Sequence, residues 1–507
     1  MALLAGVDIG TQGTKAALYT EDGAFVALAY ERSDIRRPSA GAVEEDAERQ
    51  VGSVVRTIRA CVEQLESEGA AATSGATELA AIAIDGQMAG IIGIDASGRA
   101  ITPYDSWLDT RCAPQIAEMS ATAEDAIVSR VGCAPSFNHG PKILWWRDEH
   151  PELFARIASF VQPGGYAAMR LCGLTASEAF IDYTYLHFSG FSNTSEALWD
   201  AELCRTFSLP AEKLPRIVAS HEIVGRLAAG VAAEMGVRAG VPVVAGCGDT
   251  AASFLSCGAT RAGVCVDVAG TASVFAATTD AFRPDATHRA LACGRSAVPG
   301  LWHPYAYING GGENLEWFRR EIGADEPIAE LDARAAAITD PATVPLFVPH
   351  LAGRVSPPMP ALRGAWVGLD WSHTSAHLYR AVLEGVALEY GLYRDVLVEL
   401  YPELTLREVR VTGGGEASAL WNRIKATILG TPVVKIEGAG GAPRGSAMLA
   451  GFGAGLFSSL DEAAERWVRV TPGAEPEAAL DDHYRTRVDR YRELLRHLDE
   501  FHRSGAS

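Results

Sequence analysis

Short apolar runs separated by polar turns open each half of the chain. In the first half the Asp22-Gly23 pair is a strong hairpin signal between two such runs. Between residues 46 and 66 the apolar positions change to a spacing of three and four, which predicts an amphipathic helix. The predicted elements are strands at Leu3–Val7, Lys15–Tyr19, Ala24–Tyr30 and Leu79–Ile84 and a helix at Asp46–Glu66. A meander followed by a helix and a further strand is typical of an α/β sheet.

The second half repeats this pattern and adds a docking helix. Its predicted strands are Val264–Val268, Val409–Thr412 and Val433–Ile436, and its predicted helices are His373–Tyr401, Ser418–Leu429, Arg444–Gly453 and Asp481–His502. The third of these helices consists of small residues and is expected to complete the unit of the second half. The last is charged but carries an apolar stripe, which predicts that it packs on the body of the protein.

One segment between the halves places an acid at the end of a strand. The apolar run Pro242–Ala245 leads into Gly246-Cys247-Gly248-Asp249-Thr250, so a strand, a glycine turn and a helix start follow one another. Thr250 is expected to be the N-cap of that helix. Asp249 is therefore expected to face a crevice, and a tight hinge is expected near Gly246.

Composition narrows the class of protein. The 507 residues are too many for one ordinary core, so two or three domains are expected. The balance of 44 basic against 63 acidic residues gives a net charge of −19, which repels phosphate backbones and anionic membranes. We therefore expect neither a nucleic acid nor a membrane as partner. A site for an anionic nucleotide must use backbone amides, a few cations and a metal.

The termini and the cysteines indicate a reducing compartment. The first ten residues are apolar but carry Asp8 and lack a basic lead-in, so they do not resemble a signal peptide. The nine cysteines are scattered, odd in number and without a C-x-x-C pair. These features favour free thiols and a cytoplasmic location.

The loops after the first strand of each half carry similar residues. Val7-Asp8-Ile9-Gly10-Thr11 is similar to Val266-Asp267-Val268-Ala269-Gly270-Thr271. Small residues allow backbone N–H groups to approach an anion closely. Two such loops, one in each half, would hold one phosphate chain from opposite sides, with Asp249 beside it. Two unrelated strand ends that share common residues are the alternative on these residues alone.

A run of three glycines after a strand is the third candidate for nucleotide binding. Gly413-Gly414-Gly415 precedes a predicted helix, so a ring or phosphate can lie against bare backbone. Other nucleotide and hydrolase motifs do not fit the sequence. Gly10-Thr11-Gln12-Gly13 lacks the first glycine of the dinucleotide fingerprint, no P-loop G-K-[ST] follows a glycine-rich turn, and no G-x-S-x-G is present.

Together these motifs resemble the FGGY family of carbohydrate kinases, in the actin and hexokinase structural superfamily. The resemblance runs from Ala5 to about Gly455. Its nucleotide motifs are GVDIGTQGTKAALYTEDG at 6–23, DVAGTASVF at 267–275 and VTGGGEASALWNRIKATILGTPV at 411–433. The second family signature matches residues 364–384 closely. The first matches GPKILWWRDE at 140–149, where His139 and Trp146 depart from the usual residues.

The resemblance implies a fold and a set of site residues. It implies two ribonuclease H-like domains of the actin/hexokinase ATPase type flanking a deep cleft, with sugar bound mainly by residues 1–245 and ATP mainly by residues 246–507. Asp249 would be the catalytic base, and Asp8 with Asp249 would hold Mg²⁺. The residues that would bind ATP are Thr11, Gln12, Lys15, Gly270, Thr271, Gly413, Gly414, Gly415 and Ser418.

Two further motifs are similar to the sugar-site motifs of the xylulokinase-like subgroup. They are Gly86-Gln87-Met88 and Trp107-Leu108-Asp109-Thr110-Arg111. The implied sugar-binding residues are Gln87, Met88, Trp107, Asp109, Arg111, Asp182 and Asp249. The expected reaction is ATP-dependent phosphorylation of a terminal hydroxyl of D-xylulose to D-xylulose 5-phosphate. Ala89 stands where histidine is typical, so another ketose, polyol or sugar acid, such as ribulose, erythritol or gluconate, is the alternative acceptor.

Two readings from other classes stay open at this point. One is a catalytically silent sugar-binding relative, and the other is an actin-like ATPase without a small acceptor. Retention of Asp8 and Asp249 argues against the first. The interleaved aromatic and polar residues between Trp107 and Asp182 argue against the second, since a polyol pocket uses such residues. The sequence leaves a homodimer open.

Overall fold

The computed structural model describes residues 2–67, 78–438 and 440–504. Two large β-sheets, one in each half of the chain, are covered by helices, which confirms the α/β class. The strands of the first sheet run in the order Ile223–Arg226, Pro242–Val244, Leu79–Gly86, Leu3–Ile9, Gly13–Thr20 and Phe25–Arg32. Those of the second sheet run in the order Ala292–Arg295, Trp302–Ile308, Ser273–Ala277, Val264–Ala269, Glu408–Thr412, Val433–Ile436 and Val470–Ala474.

The two sheets share one topology. In each, three neighbouring antiparallel strands form one side of the sheet, and the first of them pairs in parallel with a later strand after a helical crossover. A second parallel strand follows on the same side, and an antiparallel strand covers that edge. In the second sheet the additional strand Ala292–Arg295 pairs outside the three antiparallel strands. The repeated unit that the sequence pattern predicts is therefore present twice. Parallel strands end at the same edge of a sheet, so residues after these strands meet there.

Helices and short strand pairs complete the two domains. The α-helices are Ala47–Ser67, Ala113–Val131, His139–Glu149, Pro151–Arg156, Pro163–Cys172, Ala201–Thr206, Ala229–Met235, Asp249–Ser256, Gly311–Glu321, Ile328–Ala336, Ser375–Leu400, Ala419–Leu429, Gly441–Gly453, Leu460–Trp467 and Asp481–Ser504. The short strand pairs are Glu44–Glu45 with Tyr104–Asp105, Ile92–Ile94 with Ser159–Val161, Phe180–Asp182 with Arg216–Val218, Ser192–Asn193 with Leu198–Trp199, and Leu346–Val348 with Ala365–Val367.

The long helices agree with the hydrophobic periodicity. The helix predicted at 46–66 spans Ala47–Ser67, and its buried residues face the first sheet in one apolar core. The helix predicted at 373–401 spans Ser375–Leu400 and belongs to the core of the second sheet. The last helix docks through Val488, Tyr491 and Leu495, which are buried in that second core.

The small-residue helix lies in a different place from the one predicted. It spans Gly441–Gly453 and, although it follows the second sheet in the chain, it packs on strand Leu3–Ile9 of the first sheet. A Cβ atom on Gly6 would lie 1.8 Å from the Pro443 carbonyl oxygen, and one on Gly445 would lie 2.0 Å from the Ala252 carbonyl oxygen. The helix therefore meets the first sheet and helix Asp249–Ser256 backbone to backbone, which periodicity does not predict.

The start of helix Asp249–Ser256 also differs from the prediction. Gly248 is its N-cap, with φ −69° and ψ 147°, and Asp249 is already its first residue. The Thr250 backbone N–H and hydroxyl both donate to Asp249 Oδ1, at 2.6 and 3.1 Å. The prediction that Thr250 caps the helix is thus wrong, because the extended cap residue falls two positions earlier.

In the described ranges, no helix combines the length and the apolar character needed to span a membrane.

Candidate active site

Three carboxyl groups meet where two strands of the first sheet end. Asp8 on strand Leu3–Ile9 lies directly beside Asp85 on strand Leu79–Gly86 in the parallel register, and both are buried. Asp249 reaches the same place because Gly86 forms a β-bridge with Gly248. Asp249 is half-buried, so part of its surface remains accessible. Asp85 was missed by sequence reasoning, although its place at the end of a strand was a usable signal.

Burial and mutual repulsion make this a costly place for three negative charges. Burial is the largest cause that raises the pKa of Asp8, and Lys15 across the hairpin partly offsets it. Burial, followed by the charge of Asp8, raises the pKa of Asp85 well above its usual range. Burial, again with the charge of Asp8, raises the pKa of Asp249 to about 7. A site with these properties favours a bound cation.

The residues fit Mg²⁺ held jointly with a phosphorylated ligand. Within residues 2–67, 78–438 and 440–504, Asp8 Oδ1 is buried and has no hydrogen-bond partner. Carboxylate oxygens are preferred Mg²⁺ ligands, and this ion is commonly held by one or two carboxylates, substrate phosphates and water. No cluster of three or more metal-ligating side chains occurs among the described residues. Asp8 with Asp249 supplies the smaller donor set that such joint binding requires.

The similar acid in the second half has a different role. Asp267 is buried, and its carboxylate oxygens accept hydrogen bonds from Lys425 Nζ at 2.5 Å and from the Tyr390 hydroxyl at 2.7 Å. Asp8 precedes Thr11 by three residues, whereas Asp267 precedes Thr271 by four. Successive strand residues point to opposite faces, so the extra residue turns Asp267 into the core. Only the first copy of the motif brings its acid to the site.

Backbone hydrogen bonds shape the loops of both copies. In the first, the Gly10 and Gly13 backbones exchange hydrogen bonds of 3.1 and 3.3 Å, which closes a tight turn. In the second, the N–H groups of Gly312 and Glu313, at the start of a helix, donate to the carbonyl oxygens of Gly270 and Thr271 at 2.9 and 3.1 Å. Gln12, Lys15 and Thr271 are exposed, and Thr11 and Gly270 are half-buried.

A cavity of about 630 Å³ extends from the second loop. Its walls come from the loop, from the glycine run and from helices 311–321, 328–336 and 419–429, and the lining includes Gly270, Thr271, Gly414, Gly415, Ser418, Glu313 and Asp332. Its volume lies in the range of pockets for small molecules. Five residues predicted to bind ATP therefore line one cavity. Asp332 and Glu313 were missed, because they lie on helices that carried no motif.

The glycines of the run 413–415 have separate reasons to be glycine. Gly413 has φ +89°, and a Cβ atom there would lie 2.7 Å from the Ala269 carbonyl oxygen. A Cβ atom on Gly415 would lie 2.6 Å from the Ala269 side chain. Around Gly414 the described residues leave at least 4 Å free for a Cβ atom. Gly414 thus offers bare backbone to the cavity, and its neighbours shape the turn. Ser418 caps the following helix by accepting from the Trp421 N–H at 3.2 Å.

On the other side of Asp249, part of the predicted sugar site lies in reach. Met88 packs against Gly248, where a Cβ atom would lie 2.6 Å from the Met88 Cε atom. Gln87 is buried directly after strand Leu79–Gly86, and its backbone N–H donates to the Ile9 carbonyl at 3.1 Å. The Trp107 indole N–H donates to Thr11 Oγ1 at 2.8 Å. The sugar-site motifs and the first phosphate loop are therefore in direct contact.

The remaining predicted sugar residues are engaged within the protein. Asp109 is buried, accepts from the Val43 N–H at 2.9 Å and pairs with Arg111. Arg111 also pairs with Glu44 and Asp105 and stacks on Trp145. These contacts make both residues supports of the site rather than free donors and acceptors.

Asp182 is engaged in a similar way. It accepts hydrogen bonds from Thr184 and, at 2.5 Å, from Ser220. The Thr184 contact caps the short helical turn Tyr183–Phe188. Burial raises the pKa of Asp182 to about 7.

Three further buried polar groups lie in or beside the stretch of interleaved aromatic and polar residues, which sequence reasoning associated with a polyol pocket without assigning these three to the site. His139 Nε2 lies 2.6 Å from the Met88 carbonyl oxygen, which only accepts, so Nε2 carries the proton and Nδ1 is an acceptor. Burial lowers the pKa of His139 to about 4, which keeps the ring neutral. In the described part of the chain, His139 Nδ1, Asn138 Oδ1 and the Tyr104 hydroxyl are buried without hydrogen-bond partners. In the sequence, His139 stands out because it departs from the residue that is usual at this position of the first family signature.

The two repeated sheets with their covering helices, the acid cluster and the glycine-lined cavity define a two-domain α/β protein of the actin and hexokinase type. The chain belongs to the FGGY family of carbohydrate kinases, because residues 3–256 match the N-terminal domain of that family and residues 265–454 match its C-terminal domain. The protein is thus an ATP-dependent carbohydrate kinase that uses Mg²⁺.

Individual relatives agree with the family. The chain is 28% identical to xylulose kinase from Bacillus subtilis (strain 168) over 505 residues, which cover 99% of this chain and 98% of the relative. It is 25% identical to gluconokinase from the same organism over 470 residues, which cover 90% and 88%. The crystal structure of xylulose kinase from Rhodospirillum rubrum superposes with a TM-score of 0.88 at 26% identity and covers 99% of this chain and 100% of that one.

Proposed function

We propose that this kinase transfers the γ-phosphoryl group of ATP to a terminal hydroxyl of a small linear ketose, with D-xylulose as the best substrate and D-xylulose 5-phosphate as the product. The observation that carries the proposal is the position of Asp249, with Met88 on one side and Asp8 on the other. The similarity to xylulose kinases supports the choice of acceptor. The unpaired acceptors His139 Nδ1 and Asn138 Oδ1 suit the hydroxyl protons of a polyol chain.

In the proposed reaction Asp249 accepts the proton of the attacking hydroxyl, which is inert at neutral pH without a positioned base. The hydroxyl oxygen forms a bond to the γ-phosphorus, and ADP leaves with the electrons of the broken P–O bond. A pKa of about 7 suits Asp249 to this task, because a general base works best when its pKa lies near the operating pH. Asp249 thus acts at the acceptor end of the transferred group.

The loops of both halves serve the phosphates. Thr11, Gln12, Gly270 and Thr271 would offer backbone and hydroxyl donors to the oxygens on which charge develops, and Lys15 adds a cation. Mg²⁺, when bound, neutralises charge on the β- and γ-phosphates, and Asp8 with Asp249 would hold it. The run Gly413–Gly415 and Ser418 would lie against the adenosine, which the place of Gly414, Gly415 and Ser418 on the 630 Å³ cavity supports.

The proposal assigns the two tasks to two domains. Residues 1–245 would bind mainly sugar and residues 246–507 mainly ATP, with a hinge near Gly246. Closure of the domains would exclude water, which otherwise competes as the acceptor. Helix Gly441–Gly453 makes close backbone contacts with the first sheet, which supports a tight hinge between the domains rather than a flexible linker.

ADP release by the purified protein against a panel of acceptors tests the proposal. The panel contains D-xylulose, ribulose, erythritol and gluconate at equal concentrations, with mass spectrometry of each product. We expect D-xylulose to give the highest kcat/KM and a monophosphate of the ketose. Efficient use of gluconate or erythritol with no ADP above background for D-xylulose would exclude the ketopentose. Ala89 and the similarity to a gluconokinase are the reasons to include a sugar acid.

We propose further that the protein works in the cytoplasm. All nine cysteines lie in the described ranges as free thiols, which suits a reducing compartment. A homodimer is the assembly that we propose to test, by light scattering during size-exclusion chromatography. The charge of −19 argues against nucleic acid and anionic membranes as partners.

A further inference from the structure

A chain of three hydrogen bonds joins the first phosphate loop to the sugar side of the site. The Trp107 indole N–H donates to Thr11 Oγ1 at 2.8 Å, and Thr11 Oγ1 donates to Gln87 Oε1 at 3.3 Å. Gln87 Nε2 then donates to Glu45 Oε1 at 3.0 Å. Gln87 and Glu45 are 1% and 4% exposed, so water does not compete for their contact. Glu45 has no place in any motif that the sequence offers.

Both ends of this chain fix its direction. An indole N–H can only donate, and a carboxylate oxygen that carries no proton can only accept. Burial raises the pKa of Glu45, and the hydrogen bond that Gln87 Nε2 donates to Glu45 Oε1 opposes that rise. Because Glu45 accepts, Gln87 must turn its NH₂ group toward Glu45 and its carbonyl oxygen toward Thr11. A hydroxyl has a single proton, and the Thr11 proton is therefore directed to Gln87. While the chain is intact, Thr11 Oγ1 has no proton left for a phosphate oxygen.

Strand pairing holds the end groups in place. Glu44–Glu45 pairs with Tyr104–Asp105, so Glu45 lies opposite Tyr104, three residues before Trp107. The Ser106 N–H donates to the Val43 carbonyl at 3.0 Å, which extends the pairing toward Trp107. Glu45 and Trp107 therefore reach Gln87 and Thr11 from one rigid unit. A unit of this kind fixes rotamers better than a free loop.

We propose that Glu45 is a positioning residue that holds the Thr11 hydroxyl on the sugar side until an acceptor sugar is bound. The inference rests on the function proposed above. A sugar hydroxyl that donates to Gln87 Oε1 replaces the Thr11 proton there, and the Thr11 hydroxyl can then turn to the γ-phosphate. Stabilisation of the charge that develops on the transferred group thus depends on the acceptor.

This dependence limits wasteful hydrolysis of ATP. In transfer to sugar or to water, the same bond between the γ-phosphorus and the β,γ-bridging oxygen breaks, and ADP leaves with its electrons. The new bond forms to a sugar oxygen or to a water oxygen, which gives up a proton. Without sugar the Thr11 hydroxyl does not donate to the γ-phosphate, so transfer to water is less well stabilised than transfer to a sugar. Glu45 therefore affects selectivity between acceptors without touching either.

Glu45→Gln tests the proposal, because an amide in place of the carboxylate can donate and allows the Gln87 amide to turn over. The Gln87 NH₂ group then donates to Thr11 Oγ1 and frees the hydroxyl proton for phosphate. Calorimetric titration with a non-hydrolysable ATP analogue and Mg²⁺, in the absence of sugar, should show a Kd about three- to tenfold lower than in the wild type. Sugar-free ADP release should rise, and the sugar-dependent gain in analogue affinity should shrink.

Thr11→Val is the second variant, and together with Glu45→Gln and the double variant it completes a double-mutant cycle. Alone, it should raise the Kd of the analogue more in the presence of sugar than in its absence. In the Glu45→Gln background it should abolish the gain. Thr14→Val is the matched control, since Thr14 lies in the same segment but its hydroxyl contacts Ser53 at 2.6 Å. It should leave both Kd values unchanged.

Two outcomes would overturn the inference. One is a sugar-free Kd for Glu45→Gln that equals or exceeds the wild-type value at an unchanged melting temperature, as a purely structural role predicts. The second outcome can be tested even if Glu45→Gln does not fold. It is a change in the Kd of the analogue for Thr11→Val that is equal with and without sugar. The sugar-free titrations need no turnover, so they stand apart from the acceptor panel. If the wild-type protein phosphorylates none of the sugars in the panel, the proposed function itself is wrong.

Discussion

Lys425 Nζ lies 2.5 Å from Asp267 Oδ2, and both groups are fully buried in the second domain. At Asp8, the similar acid of the first domain, the charge that partly offsets burial is that of the exposed Lys15 across the hairpin. Asp267→Asn would leave a buried ammonium without its counter-charge, which typically costs about 3–5 kcal/mol. We therefore expect a clear fall in melting temperature for Asp267→Asn. Asp8→Asn should instead keep or raise the melting temperature of the metal-free protein, because it removes a buried charge with a raised pKa.

The activities of Asp8→Asn and Asp267→Asn should differ in the opposite direction from their melting temperatures. Asp8→Asn should lose most sugar phosphorylation at saturating Mg²⁺, whereas the Asp267→Asn protein that remains folded should retain it. Differential scanning fluorimetry and ADP release, measured on the same samples, check both expectations. The double variant Asp267→Asn with Lys425→Met should recover part of the stability. Equal destabilisation by Asp8→Asn and Asp267→Asn would contradict the different roles of the two acids.

Replacement of the proposed base should stop transfer without preventing nucleotide binding. Asp249→Asn keeps the shape of the side chain but cannot accept the hydroxyl proton, and loss of a general base costs a factor of roughly 10² to 10⁴ in kcat. The Kd of an ATP analogue, measured by calorimetry, should change far less. Wild-type turnover on the best sugar would show that Asp249 is not the base.

The second phosphate loop should need a glycine at position 270. For a Cβ atom on Gly270, the nearest atom in the described part of the chain is the Ala272 carbonyl oxygen at 3.4 Å, so the protein itself has room for a side chain. Gly270→Val should therefore fold and raise the KM for ATP far more than the KM for sugar, because its methyl groups take the space of a phosphate. Gly230→Val, at an open position of helix Ala229–Met235, is the matched control. An equal rise in both KM values would indicate failed domain closure.

Asp182 should make stability depend on pH. Burial raises its pKa to about 7 in the folded protein, against an ordinary value of 3.8, so the folded state binds more protons than the unfolded state between these values. The contribution of this group to stability therefore falls as pH rises from about 4 to 7. Asp182→Asn should gain melting temperature relative to the wild type between pH 5 and pH 8. A difference that stays constant over this range would argue against a raised pKa.

The sequence predicted the repeated units well, because each rests on local signals. Hydrophobic periodicity and the Asp22-Gly23 turn predicted the first meander to within two or three residues. The position of helix Gly441–Gly453 could not be predicted in this way. Its contact with Gly6 joins residues more than four hundred positions apart, and periodicity carries no information on which sheet a helix covers.

The site was predicted in part for a similar reason. Gly270, Gly414 and Ser418 follow strands, and the ends of parallel strands converge, so motif and topology agree. Asp267 differs because one extra residue in a strand reverses the face, and a motif comparison that ignores this step equates it with Asp8. Glu45 and Asn138 lie in short segments whose contacts depend on tertiary packing, and no spacing rule reveals them.

The last prediction concerns the residue after Met88. Ala89 is half-buried beside the sugar-site motif, at the position where xylulokinase-like sequences typically carry histidine. Ala89→His adds a hydrogen-bond donor, and one such bond to a bound sugar is worth about 0.5–1.5 kcal/mol, or up to about tenfold in affinity. We expect the KM for D-xylulose to fall and the use of bulkier acceptors such as gluconate to decline. Ala89→Leu is the control, since it adds similar bulk without a donor and should weaken both acceptors. If Ala89→His weakens D-xylulose as much as Ala89→Leu does, the pocket has no place for an imidazole there, and His139 with its free Nδ1 becomes the group to vary next.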